Sequence, residues 1–333
     1  MQLSRRHLLQ GAIVAGGLAT GLGARPRDAH AGQTPAIRPR TPTRIVAPQA
    51  DRVGDVFRVR RTIPAANLAQ IDPFLMLDHF DFTLAPGELG GLAPHPHRGI
   101  ETVTILVEGA IEHGDSLGNR ARLEEGGVQW MTAASGIVHE ENPDDSIRER
   151  GGRIHGLQLW VNLPARAKLA PPRYQDQTAD RIPLVDEAGV RARVIAGEAH
   201  GVSAVIGTET PIALIDYAIE PGSEVALDYP DDWTAFVHVI DGTASVGGTL
   251  VPAAHLAVLG KTGSGASGIH LANPGKTRTR LVLGGGEPIA EPLARYGPFA
   301  MNTEAELRQA FEDYRAGRMG RVANPTYDRV RLR

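Results

Sequence analysis

The chain has 333 residues, no cysteine and a formal net charge of −3. Without cysteine it has no disulfide, thiolate ligand or catalytic thiol, so any metal must rest on nitrogen and oxygen donors. The charge balance offers no basic surface for nucleic acid, and no run of like charges forms a tail that would bind it. The length is enough for two domains of ordinary size, and 39 Gly with 24 Pro favour a turn-rich β architecture.

Residues 1–31 read as an address rather than as fold. Ser4-Arg5-Arg6-His7-Leu8-Leu9 places an arginine pair before a weakly apolar stretch, Gly11 to Ala24, and Ala29-His30-Ala31 supplies small residues for cleavage. That stretch has 14 residues, five of them Gly, too short and flexible for a stable membrane span. The segment resembles a twin-arginine signal, which implies export of an already folded protein to the periplasm or beyond, with the export machinery as a partner. It carries four Arg and one Asp, so its removal takes the net charge from −3 to −6.

Residues 32–48 are rich in Pro and Thr and form an extended lead-in. From Val53 the pattern turns to β, with Val56, Val59 and Ile63 among charged residues, then a buried apolar run from Asp72 to Asp78. Glu101 to Val107 alternates, Glu108-Gly109 turns, and Ala110 to His113 returns as a hairpin. Glu125-Gly126-Gly127 leads into Val128-Gln129-Trp130-Met131, and Gly156 to Leu163 is a strand that Pro164 ends. Ala165 to Asp180 bridges to a second strand series: Ile182–Leu184, Val190–Ile195, Ile212–Ile219, Thr234–Val239, Ala244–Val246 and Arg280–Gly284. The similar spacing of the halves suggests a duplicated fold. Thr303 and Glu306 make a capping box for a helix carrying Leu307, Ala310, Phe311 and Tyr314, with Gly317 placed to end it.

The chemistry concentrates in His95-Pro96-His97 and His139-Glu140-Glu141. Residues i and i+2 of a strand share a face, so two neighbouring strands could aim His95, His97, His139 and Glu141 at one point. Three neutral imidazoles and a carboxylate make a mononuclear transition-metal site with room for water, dioxygen or a chelating substrate. His113 reads either as a residue of the cavity mouth or as a solvated turn histidine, and His79 and His155 are equally neutral. Phe74, Trp130 and Trp160 read as core. In the second half His238, His255 and His270 lack ligand spacing, and the adjacent pair Asp231-Asp232 faces opposite ways on a strand.

The order of these motifs resembles that of cupin barrels. The segment from His95 to Thr104 (His95-Pro96-His97-Arg98-Gly99-Ile100-Glu101-Thr102-Val103-Thr104) is similar to the signature of the pirin family. So are Gln129-Trp130-Met131-Thr132-Ala133, Gly136-Ile137-Val138-His139, Gln158 to Pro164 and Arg295-Tyr296-Gly297-Pro298-Phe299. The resemblance spans about residues 43 to 320. It implies an all-β fold: two tandem cupin (double-stranded β-helix or jelly-roll) barrels with a C-terminal helix. The expected division is 1–31 signal peptide, 43–165 metal-binding barrel, 181–290 metal-free barrel and 291–333 helix and tail.

The resemblance further implies one divalent metal per chain, iron(II) first and Mn, Cu, Ni or Zn as alternatives, held by His95, His97, His139 and Glu141. Many cupins use the glutamate at the position of Glu101 as a ligand. In pirins Glu141 takes that role, which leaves Glu101 to orient an imidazole from behind. Some pirins resemble quercetinases, cleaving flavonols at the 2,3 bond with dioxygen, and Glu141 would there double as general base. A non-enzymatic metal- or redox-responsive binding protein and a cupin isomerase are the competing readings. A monomer without a nucleic-acid partner is expected.

Overall fold

A computed structural model describes residues 11–13, 38–54, 57–88 and 90–331. The leader expected at 1–31 lies outside the described residues except for Gly11–Ile13, a short strand beside Glu224–Pro230. Strands dominate because apolar and β-branched residues recur at every second position between Gly-bearing turns. The two strands expected as a hairpin form as Ile100–Glu108 and Ala110–Asp115, but they do not pair: they lie in different sheets, and Gly109, at φ 93°, turns the chain from one to the other. A Cβ there would come within 2.4 Å of the Arg153 carbonyl oxygen, so only Gly turns the chain this tightly.

Each half closes two sheets face to face, giving the two tandem barrels. In the first, a four-stranded sheet runs in the order Arg120–Glu124, Ala110–Asp115, Ile137–Pro143, Leu92–His97. It faces a seven-stranded sheet centred on Ile100–Glu108, Gly152–Asn162 and Phe74–Leu84. The second barrel repeats this design around Ile212–Ile219, Thr279–Gly286 and Thr234–Asp241. Its interior is packed with apolar side chains, among them Tyr217, Leu227, Trp233 and Leu281. The first barrel keeps polar groups inside.

The two seven-stranded sheets pack back to back through their outer faces. Leu77, Val103, Ile105, Leu157 and Leu159 from one barrel share a single apolar cluster with Leu214, Phe236, Leu256 and Val282 from the other. Phe74 meets Phe236 edge to face, ring centroids 5.0 Å apart.

The sheets cross the boundaries expected at 43 and 165. Pro42–Val46 pairs with Leu256–Leu259 and so completes the second barrel's sheet. Inside the bridge, Arg173–Gln177 pairs with Val128–Thr132 of the first barrel. The C-terminal helix spans Glu304–Arg315, and the Thr303–Glu306 capping box is formed. Two short helices, Asp145–Arg150 and Thr326–Arg331, have no counterpart in the expectation. The second is seated by Glu140, whose carboxylate accepts the Thr326 and Tyr327 backbone N–H groups at 2.8 and 3.0 Å. Among the described residues no helix is long and apolar enough to cross a membrane.

Candidate metal centre

The site is built by strand register. His95 sits directly opposite His139 on the neighbouring antiparallel strand, and His97 opposite Ile137, so His95, His97 and His139 point to one face. A bulge between His139 and Glu141 shifts the register, after which Glu141 pairs with Leu92 on one side and His113 on the other. The face they share is the barrel interior. Ligand nitrogens of His95, His97 and His139 lie within 4.8 Å of one another, and the ring centroids are 4.3 to 5.0 Å apart.

Each imidazole is set up to act as an acceptor. His95 Nδ1–H donates to the Ala93 carbonyl at 2.9 Å, and His97 Nδ1–H to the Pro298 carbonyl at 3.2 Å, leaving both Nε2 atoms free. His139 is fully buried, and neither of its ring nitrogens has a hydrogen-bond partner. An unpartnered buried imidazole is costly unless something binds it. Burial, and then mutual repulsion, holds His97 and His139 well below the usual imidazole range. Burial likewise lowers His95. All three are therefore neutral near pH 7, as ligation requires. This donor set fits a divalent transition-metal ion.

Glu141 lines the same cavity but lies outside the tight imidazole cluster. Thr104 Oγ1 donates to its Oε1 at 3.3 Å, and Gln158 Nε2 donates to its Oε2 at 3.2 Å. Both partners sit on the inner face of the opposite sheet, where Gln158 pairs with Thr104. Sequence reasoning missed them, although a lone polar Gln158 between Leu157 and Leu159 in a buried strand was a signal.

Glu101 is a correction. It does not orient a ligand imidazole. Its register partners Thr132 and Val161 and its strand-mates Val103 and Ile105 place it on the outer face, against the second barrel. The four-residue step from His97 would keep Glu101 on the ligand face of one regular strand, but Gly99, at φ 77°, turns the chain from one sheet into the other between them. Glu101 accepts from Thr132 Oγ1 at 2.7 Å, and burial pushes its carboxyl up to about 7.

His113 is a second correction, since it is neither solvated nor at the mouth. It is buried behind His139, ring centroids 5.4 Å apart, and stacks on Tyr174. Its Nε2–H donates to Asp115 at 3.1 Å while Nδ1 accepts from Gln129 Nε2 at 2.9 Å. Trp160, expected as core, is only half-buried and lines the cavity, its ring 5.0 Å from that of His97. Phe74 and Trp130 are core as expected.

His79 and His155 are not neutral bystanders either. With His238 of the second barrel they form a buried chain: His79 Nε2 to His155 Nε2 at 2.7 Å, and His238 Nε2 to His79 Nδ1 at 3.3 Å. The near-coplanar rings of His79 and His155 direct their nitrogens at each other, which is a hydrogen bond and not a gap for an ion. Asp231 accepts from Thr262, a loop contact without catalytic character.

The cavity that opens on His95, His97 and Glu141 measures about 540 Å³. Its lining is largely apolar, with Val53, Phe57, Val59, Met76, Phe80 and Leu92, and Arg61 and Asp78 are set among these on the same strands, with Arg295 and the turn at Gly297-Pro298 completing it. The C-terminal segment is pinned beside it by Lys168. That ammonium is buried and donates to the carbonyls of Gly99 and Ala300 and to Asn162 Oδ1, at 2.6 to 2.9 Å.

Two family models match the chain: Pirin over residues 56–161 and the pirin C-terminal cupin domain over 214–320. A pirin-like protein of Solanum lycopersicum is 40% identical over 286 residues, covering 85% of this chain and 94% of its own length. Human pirin is 38% identical, covering 82% and 90%. A crystal structure described as quercetin 2,3-dioxygenase from Acinetobacter baumannii superposes with a TM-score of 0.79 at 34% identity, covering 86% of this chain and all of that one.

Proposed function

This chain belongs to the pirin family, and we propose that its first barrel holds one divalent transition-metal ion and oxidises a small chelating molecule with dioxygen. The reading is of the quercetin 2,3-dioxygenase type. The observation that carries it is His139, buried with two partnerless nitrogens between two imidazoles whose Nδ1 atoms are already engaged.

His95, His97 and His139 would hold the ion, with Glu141 as fourth ligand. Bound there, it supplies Lewis acidity toward a substrate bearing adjacent hydroxyl and keto oxygens, and a route for electrons to dioxygen. The protein supplies the rest. Thr104 and Gln158 steady the Glu141 carboxylate, which faces the cavity and would take the substrate's hydroxyl proton at an oxygen. Trp160 offers a flat surface beside His97 for an aromatic ring. Phe57, Val59 and Met76, the last directly beside Trp160 on the neighbouring strand, add an apolar lining that excludes water. The likeness to a structure described as a quercetin 2,3-dioxygenase supports the reaction type.

Metal analysis with an oxygen electrode tests this. Purified protein should carry about one ion per chain and consume dioxygen with a flavonol, and His97→Ala should lose both while remaining folded. A loaded protein inert toward a panel of flavonols would sink the dioxygenase reading and favour a binding protein.

We propose in addition that the protein is exported folded through the leader Ser4-Arg5-Arg6, so the ion is acquired in the cytoplasm, where free copper is scarce. Iron or manganese is then expected in secreted protein, and stoichiometric copper or zinc argues against it. Replacing Arg5 and Arg6 by Lys should retain the protein in the cytoplasmic fraction.

A further inference from the structure

Arg295 is a cation without a counter-charge at the edge of the metal cavity. It is half-buried on the strand Ala294–Tyr296 and lines the cavity. Its Nη1 donates to the Leu75 carbonyl at 2.8 Å, and its guanidinium carbon lies 5.1 Å from the centre of the Trp160 ring. No carboxylate lies within ion-pair distance of it among the described residues. The nearest acid in the cavity wall, Asp78, is taken by Arg61, which binds both of its oxygens at 2.7 and 2.6 Å. Burial and the neighbouring Arg61 both press the Arg295 guanidinium below its usual range, as expected for a cation lacking an anion.

The charge of the whole cavity points the same way. Its lining carries two cations, Arg61 and Arg295, and two anions, Asp78 and Glu141. A divalent ion adds two positive charges, so a loaded cavity is left electropositive. Trp160 touches both ends of this field, its ring 5.0 Å from that of His97 on one side and under Arg295 on the other. A flat ligand resting on the indole would present one edge to the imidazoles and another to the guanidinium.

We propose that the ligand class of this cavity is anionic: a small, flat hydroxy-ketone that bears a carboxylate, with the hydroxy-ketone edge at the His95–His97–Glu141 end and the carboxylate on Arg295. The inference rests on the metal-site reading above, and it narrows the substrate from flavonol-like chelators in general to acidic ones. Arg295 is a binding and orienting residue in it. A carboxylate there would gain a charge-assisted pair in a partly desolvated setting, and the neutral analogue would leave the guanidinium unpaired.

The test is calorimetric binding of two probes to metal-loaded full-length protein: 3-hydroxy-4-pyranone, and the same ring bearing a carboxylate at carbon 6. Wild type should bind the carboxylate probe at least about tenfold more tightly. Arg295→Gln should abolish that preference while binding of the neutral probe and the metal content hold, and Arg295→Lys should restore part of it. A variant that merely loosened Trp160 or the Leu75 contact would weaken both probes equally, and that result overturns the proposal. So does a wild type that binds both probes alike, binds neither, or keeps its preference in Arg295→Gln. Oxygen uptake is measured separately, so absent turnover counts against the dioxygenase reading without touching the carboxylate preference.

Discussion

Acid should loosen the joint between the barrels through His238. This histidine is fully buried, reaches His79 Nδ1 with its Nε2–H, and its Nδ1 has no partner. Burial, with Arg60 and His255 as lesser causes, pulls its imidazole down to about 3. His79 is lowered too, by burial first and then by His238, Arg60, His155 and Arg153. In the unfolded chain a histidine titrates near 6.5, so the unfolded state takes up protons first as pH falls. The sign is therefore fixed: the neutral chain's contribution is complete above about pH 6.5 and is lost as pH drops toward the folded value. Between pH 7 and pH 5 one such histidine costs about 2 kcal/mol of stability. The variant His238→Gln keeps a side-chain N–H for His79 and removes the titration. Equilibrium urea unfolding of metal-free protein at both pH values should show the wild type losing about 2 kcal/mol more than the variant. The metal-site imidazoles are common to both proteins and cancel. Equal losses would refute the reasoning.

Three further outcomes follow from the described contacts. Removing metal with a chelator should lower the thermal midpoint of the wild type, whereas His139→Ala should carry less than about a tenth of the metal and show no response to chelator, read by metal analysis and calorimetry. Glu101→Gln should stabilise at neutral and alkaline pH but not in acid: a carboxyl raised from 4.5 to about 7 destabilises the fold as pH climbs through that window. The gain should reach about 3 kcal/mol at pH 8 and vanish near pH 4, read by urea midpoints. Lys168→Met strands the carbonyls of Gly99 and Ala300 and should cost about 2 to 4 kcal/mol by urea unfolding. Full wild-type stability in that variant would contradict the role assigned to the ammonium.

The imidazole cluster was legible because its cause is local. His95 and His97 share a face by strand parity alone, and antiparallel register then sets His139 opposite His95. Glu101 shows where parity stops being a guide. Counting across Gly99 assumes one continuous strand, and a glycine at positive φ hands the chain to another sheet. His79, His155 and His238 were illegible for a different reason. They are 76 and 159 positions apart: strand pairing within one sheet sets His155 beside His79, and only the packing of two outer sheet faces brings His238 to them. Arg295 likewise enters the cavity from a segment more than a hundred residues beyond the barrel it serves. Among strands, Glu224–Pro230 alternates cleanly in burial but is missing from the expected series, since Asp228 and Pro230 are poor strand formers.

The crossing of strands between barrels has a consequence for how this protein can be divided. Pro42–Val46 precedes the first barrel in the chain but is woven into the second, while Arg173–Gln177 and Phe299, which bridges Arg98, return to the first. A cut at residue 165 would strip an edge from each product and remove the Pro298 carbonyl that steadies His97. Neither barrel can therefore be separated at that point with all of its strands. The second barrel, where no ligand cluster is found among the described residues, serves the first as scaffold through the core they share.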